Sequence, residues 1–346
     1  MDAAELDTGI ELRRLPDHQQ YKNQGISFIE CDGWLLPGRF LDLGQEVALI
    51  EQGRGYIDFS DRGVLRMEGK DAVDLLHRIS TNDFRAFEPG KALQTVFLSE
   101  KGRVVDSVVV LHRNDHLLVL TSRGAHERVA QWVEKFIIME DVTLTEETGR
   151  HFLLLQCNVQ PGHQLEMSNR SEHFIFGTKY FDLECVIHGG ADHPEVRSSL
   201  ASMGLMQVGN EAYEMFRIRR GIPSYGREIV SEYNPLELGL RGQMSFEKGC
   251  YIGQEVIARL DTYKKVQRKL FRVHSSATLA LNRPEKVLAH GKEAGILTSS
   301  VCNVGERLGS NGVAILKSAL VEPGTQYLLE ESNASLTIDE LTEGSK

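Results

Sequence analysis

Phe246-Glu247-Lys248-Gly249-Cys250-Tyr251-Ile252-Gly253-Gln254-Glu255 is the most informative stretch of the chain. Its centre, Lys248-Gly249-Cys250-Tyr251-x-Gly253-Gln254-Glu255, has seven specified positions in eight residues. Glycines at 249 and 253 let backbone and ligand approach closely, or allow a positive φ. A thiol near an ammonium is drawn towards thiolate, so Cys250 close to Lys248 is a candidate reactive group. Tyr251, Gln254 and Glu255 add a hydroxyl, an amide and a carboxylate for polar recognition. The alternative makes Cys250 a buried apolar side chain and the glycines a plain turn.

Upstream of this motif, the chain alternates strands with helices without a regular parallel repeat, which predicts an α+β core. Gly63–Met67 reads as a strand, and Asp71–Ile79 follows with apolar Val73, Leu75, Leu76 and Ile79 at helical spacing. Residues 93–122 read as a meander: strands over Leu93–Leu98, Val104–His112 and His116–Leu120, with turns at Ser99–Arg103 and Arg113–Asp115. Ala125–Phe136 is helical by its apolar face. Further strands are expected over Phe152–Gln156, Phe174–Phe176 and Phe181–Ile187, and helices over 194–202 and 209–220. Residues 1–60 show only short apolar segments broken by Gly and Pro. The tail consists of short β-rich runs, as in a small barrel. Two domains are therefore expected, a core over 1–264 and a β-barrel over 265–346.

A net charge of -10 argues against a general nucleic-acid coat and an anionic membrane surface. The opening MDAAELDTGIELRR is acidic and lacks an apolar h-region, so neither a secretory signal nor a transit peptide is read there. No run reaches the ~18 apolar residues of a membrane span. The five cysteines (31, 157, 185, 250 and 302) are scattered with no CxxC pair, which suits free thiols in a reducing compartment. A cytoplasmic location is expected. A zinc site or a four-thiolate cluster made by this chain alone is not. His112 and His116 have metal-like spacing but straddle a predicted hairpin turn, so no metal is assigned to them. The basic run Tyr263–Lys269 is read as an inter-domain linker rather than an RNA contact.

The 248–255 motif resembles the signature of the YgfZ-type family, a branch of the glycine-cleavage T-protein superfamily. The resemblance extends over nearly the whole chain. Asp32-Gly33-Trp34 with Pro37, Tyr56-Ile57-Asp58-Phe59-Ser60, Gly69, Thr81-Asn82-Asp83 and Gly90-Lys91-Ala92-Leu93 occur in T-protein order. The stretch Lys101–Ser107 resembles a Gly-Gly-x-x-Asp-Asp segment that starts at Gly102, with Asp106 at the first aspartate and Ser107 in place of the second. Gly291–Ser299 and Gly312-Val313-Ala314 resemble the barrel domain.

This resemblance implies a T-protein-like folate-binding core of two interleaved subdomains with a C-terminal β-barrel, and a tetrahydrofolate or derivative in a central channel. It implies that Asp106 lies beside the reactive folate nitrogen. A carboxylate among Val104, Val105 and Val108 needs a hydrogen-bond partner, which a pterin could supply. One departure stands out. T-proteins carry a pterin-binding glutamate two positions before the glycine of Phe216–Pro223, and here Arg219 stands there. A donor-only guanidinium cannot serve the donor-rich pterin edge, but suits an anion such as a folate glutamate tail.

Three functions are consistent with this. One is a YgfZ-type factor using reduced folate to support assembly or repair of iron–sulfur proteins, with a downstream effect on tRNA modification enzymes. There, Cys250 and Asp106 are the reactive residues, and Asp106, Arg219, Lys248, Tyr251, Gln254 and Glu255 the binding set. Its partners would be iron–sulfur client or assembly proteins. The second is a tetrahydrofolate-dependent aminomethyltransferase. The third is a non-catalytic module that binds clients through the Cys250 loop.

Overall fold

Val104–His112 forms one buried strand because branched apolar side chains serve both of its faces. Val109 and Leu111 enter one core and Val108 and Val110 another, as a period of two requires. The computed structural model describes residues 12–159, 168–169, 173–181, 183–190, 193–279, 281, 283–303, 309–322 and 325–339. The acidic N-terminal stretch up to residue 11 lies outside them.

This strand belongs to a five-stranded antiparallel sheet ordered Ala92–Leu98, Val104–His112, Leu117–Thr121, Gly63–Glu68 and Thr143–Glu146. Val109 pairs with Leu120 and Val110 with Val119. Helices Ala72–Ile79 and His126–Glu134 cover the outer face through Leu75, Leu76, Val129 and Trp132. The inner face meets a six-stranded sheet ordered Ser168–Asn169, His173–Tyr180, Leu183–Gly190, Phe152–Gln156, Gly55–Asp58 and Met206–Gln207. Val109, Leu111, Leu118 and Leu120 pack there against Leu153, Leu155 and Ile187.

The chain leaves the six-stranded sheet after Asp58 and builds the whole five-stranded sheet over 63–146. It then returns at Phe152, where Leu154 pairs with Asp58. The two subdomains are thus interleaved. Arg268–Ser275, Glu285–Ala289, Lys292–Cys302, Ser310–Lys317, Tyr327–Leu329 and Ser335–Asp339 close into a six-stranded barrel. The fold class is the α+β, barrel-terminated one expected.

Several elements differ from the reading of the sequence. Residues 13–39 form a small three-stranded sheet, followed by helix Leu43–Glu51. Asp42 caps that helix, accepting from Gly44 N at 2.9 Å and Gln45 N at 3.3 Å. Phe181 is not strand: it turns the chain at φ 49°, and the strand starts at Leu183. Gln254 and Glu255 open a helix, Gln254–Thr262, rather than belonging to a loop around Cys250.

Candidate functional site

The crossover Phe59–Arg62 connects the two sheets and lies at a cavity between them. Ser107, Val109 and Leu120 line it from one sheet, Leu153, Leu155 and Ile187 from the other. It is narrow, with a cavity volume of about 30 Å³. Phe59 meets the rings of Tyr180 at 6.2 Å and Tyr213 at 5.4 Å edge-on, and the Arg62 guanidinium lies 4.2 Å over the Phe59 ring. Apolar flat faces with a few converging polar groups suit a planar heterocycle in kind, and at this width a pterin would enter only with movement of the lining side chains. No Asp or Glu is among the residues lining the cavity.

Asp106 is not among the lining residues but stands behind them, wholly buried. Its Oδ1 accepts from Ser107 N at 2.9 Å and its Oδ2 from Ser122 N at 2.8 Å, and both serines line the cavity. The backbone thus supplies the partners that a buried carboxylate needs. Burial pushes its pKa up to about 6, against the pull of these hydrogen bonds and of the Arg62 charge. Ser107, in place of a second aspartate, donates to Gln243 Oε1 at 2.7 Å and receives Gln94 Nε2 at 3.3 Å.

A carboxyl raised on folding stabilises the fold in its protonated form. That contribution is complete below about pH 4 and is lost as pH rises through 6. The shift from 3.8 to about 6 corresponds to about 3 kcal/mol. Asp106→Asn is therefore expected to lack a fall of that order in unfolding free energy between pH 4 and pH 7. Urea unfolding at both pH values checks this, and an equal fall in the variant refutes it.

The 248–255 motif is built differently from its reading in the sequence. Lys248 is buried, and its ammonium does not face Cys250. It donates to the carbonyls of His77, Ser80 (2.7 Å) and Asn82 (2.7 Å), at and just beyond the C-terminus of helix Ala72–Ile79. Tyr251 is buried in the core around Leu238 and Ile257, and burial pushes its hydroxyl up to about 12. Gly253 has φ 78°, and a Cβ there would stand 2.6 Å from Ser99 O. Its required close approach is to the chain itself, at the turn of the hairpin that carries Asp106. Gly249 has open space around it. Cys250 and Glu255 are exposed, and Gln254 Nε2 donates to Gly249 O at 3.4 Å. Cys250 therefore faces solvent while Asp106 faces the interior.

Arg219 does not line the cavity. Its Nη2 donates to Asn303 Oδ1 of the barrel at 3.3 Å, and its carbonyl accepts from Arg272. Of the cavity residues, the sequence reading named Phe59 and Ser107 only as parts of matching segments, and Asp106, the residue it singled out, stands behind the wall. Arg62 and Tyr180 carry no motif, and the only sequence signal for Arg62 is a charge in a short link between two apolar strands. His112 stacks on Phe87 and its Nδ1 lies 2.8 Å from Phe87 O, while His116 pairs with Asp115. No helix among the described residues is long and apolar enough to cross a membrane.

Residues 17–156 match the family model described as the GCVT N-terminal domain. An aminomethyltransferase of Thermotoga neapolitana is 25% identical over 343 residues, covering 90% of this chain and 92% of that protein. A putative chloroplastic transferase of Arabidopsis thaliana is 27% identical over 274 residues, covering 72% of this chain and 62% of that one. The crystal structure of the glycine cleavage system aminomethyltransferase T from Bartonella henselae superposes with a TM-score of 0.80 at 18% identity, covering 95% of this chain and 97% of that one. The fold is that of the T protein, and the domain match and relatives support the T-protein superfamily for this chain.

Proposed function

We propose that this chain binds a reduced folate between its two sheets. We further propose that it acts, in the cytoplasm, as a YgfZ-type factor supporting iron–sulfur cluster assembly or repair, with tRNA modification enzymes affected downstream. The observation that carries the reading is the 248–255 motif, seated on the hairpin that leads to Asp106 while presenting the Cys250 thiol to solvent. On this reading Asp106, whose pKa near 6 keeps both protonation states accessible at neutral pH, is the acid–base group behind the cavity wall. Cys250 is the reactive or redox-sensing group, and exposed Glu255 and neighbouring Gln254 belong with it on the face an iron–sulfur client would meet. Lys248 and Tyr251 hold the motif in place. A bound folate would supply a one-carbon carrier.

The names of the relatives favour a second reading, tetrahydrofolate-dependent aminomethyl transfer. Against it stands Arg219, which occupies the T-protein glutamate position and is engaged with the barrel.

Calorimetric titration with tetrahydrofolate is expected to give saturable micromolar binding, weakened at least tenfold by Asp106→Ala. Absence of binding to folded protein would overturn the folate reading. In cells lacking the protein, Cys250→Ala is expected to fold yet fail to restore iron–sulfur enzyme activity. Full rescue would remove the role of the thiol. Release of ammonia from an aminomethyl-lipoyl carrier, only with tetrahydrofolate present, would instead establish the second reading.

A further inference from the structure

Cys157 and Cys185 face each other in the core between the two sheets, each 2% exposed. Strands Phe152–Gln156 and Leu183–Gly190 pair antiparallel, with Leu155 opposite Ile187 and Gln156 opposite Val186. One step further, Cys157 comes opposite Cys185. The chain is still paired beyond that step, because Val159 N donates to Glu184 O at 2.8 Å. The two thiols are hydrogen-bonded to each other. The remaining cysteines have other surroundings: Cys31 meets Arg123 and Asp32, Cys302 meets Ser310, and Cys250 is exposed. Facing residues of an antiparallel pair have Cα atoms about 4.5 or 5.5 Å apart. Both spacings lie within the roughly 4.4–6.8 Å that a disulfide spans, so the bond can close without moving the strands.

Core packing accounts for a single buried cysteine. It does not call for two thiols in contact, nor for a path to them. The side-chain period of two puts Cys157 on the face of Leu155, and Cys185 on the face of Ile187. Leu155 and Ile187 line the narrow cavity, whose volume of about 30 Å³ suits a molecule the size of water or hydrogen peroxide. The hydrogen bond to Cys185 and burial hold the Cys157 thiol well above its usual range, against the pull of the Arg62 charge. The pair is thus shielded from bulky thiol reagents, while the same guanidinium favours the thiolate once a proton leaves.

We propose that Cys157 and Cys185 form a redox dithiol that hydrogen peroxide closes to a disulfide across the six-stranded sheet. One sulfur, as thiolate, attacks a peroxide oxygen. The O–O bond breaks, water leaves, and a sulfenic acid forms. The partner sulfur then attacks that sulfur. The S–O bond breaks, the S–S bond forms, and the hydroxyl departs with the partner's proton as a second water. Two thiols lose two electrons and one peroxide becomes two waters. The closed bond ties together two strands that supply Leu153, Leu155 and Ile187 to the cavity wall.

The test exposes folded full-length protein to hydrogen peroxide, raised until exposed Cys250 is oxidised. Excess is removed with catalase, remaining thiols are alkylated in denaturant, and the digest is mapped by mass spectrometry with and without dithiothreitol. A peptide pair joined through Cys157 and Cys185 is expected, and is expected to vanish after dithiothreitol. Cys185→Ala, which keeps a small apolar side chain, is expected to lose the joined pair without linking Cys157 to another cysteine. Recovery of both residues as alkylated thiols while Cys250 is oxidised overturns the inference. It is overturned equally if either sulfur is overoxidised without the link, if Cys157 links to a different cysteine, or if the link forms only after the protein is unfolded.

Discussion

Replacing Arg217 with alanine is expected to cost about 3–5 kcal/mol of stability. Its side chain is 2% exposed, on helix Asn210–Arg220. Nε and Nη2 bind Glu214 at 2.7 and 2.8 Å, Nη1 donates to Ile222 O at 3.3 Å, and Nη2 donates to Ser299 Oγ at 3.1 Å. Nη1 also lies 3.7 Å from Glu228, whose side chain is wholly buried. Glu228 in turn accepts from Ser224 N at 2.8 Å and from the hydroxyls of Thr298 (2.5 Å) and Ser299 (2.7 Å). Thr298 and Ser299 belong to the barrel, so this network joins barrel to core through buried charge. Removing the cation leaves Glu228 buried without its counter-charge, and the barrel loses a hydrogen bond to the helix. Guanidinium unfolding is expected to show the loss, together with a barrel that unfolds apart from the core. Arg220→Ala, an exposed change on the same helix, is the control and is expected within about 0.5 kcal/mol of wild type. A loss below 1 kcal/mol for Arg217→Ala would show that the network is not what docks the barrel.

The second large effect is expected at Lys248. Burial pulls its ammonium down to about 8, so it remains charged at neutral pH. The three carbonyls of His77, Ser80 and Asn82 surround it. Lys248→Met keeps the apolar stem but removes every donor, leaving three acceptors at a helix end without a partner. Charge-assisted hydrogen bonds and the cost of unsatisfied groups put the loss at about 2–4 kcal/mol. The function of the motif should suffer as well, because the segment that presents Cys250 is anchored through this side chain. Unfolding titrations measure the first effect, and rescue of iron–sulfur enzyme activity the second. A variant of unchanged stability that fails to rescue would return Lys248 to the ligand-binding role that its sequence position suggests.

Much of the architecture was legible in local pattern. The strand Val104–His112 and the helices Ala72–Ile79 and His126–Glu134 follow from apolar periodicity, which depends only on residues within a few positions of one another. Helix Leu43–Glu51 was not legible. Gly44 in its first turn, after Pro37 and Gly38, masks the spacing of Val47 and Ile50, and the Asp42 cap takes effect only once the helix exists. The site was less legible than the fold. Asp106 was singled out by the resemblance of its segment to the T-protein one, to which the apolar strand around it added only the need for a hydrogen-bond partner. Its donors, Ser107 N and Ser122 N, are backbone groups that sequence does not advertise. Gln94, Ser107 and Gln243 come together from separate segments, and no spacing rule connects them.

The sequence by itself determined the period and composition of each segment, hence an α+β core followed by a β-barrel, and a motif rare enough to mark the chain. Only the tertiary structure decided what each charged group faces. Lys248 turned to a helix end instead of to Cys250, Arg219 turned to the barrel instead of the cavity, and Arg62 turned to Asp61 and the Phe59 ring. The reason is physical. Local periodicity is set by neighbours along the chain, whereas burial and charge pairing are set by whatever the fold brings within about 4 Å, often from more than a hundred residues away.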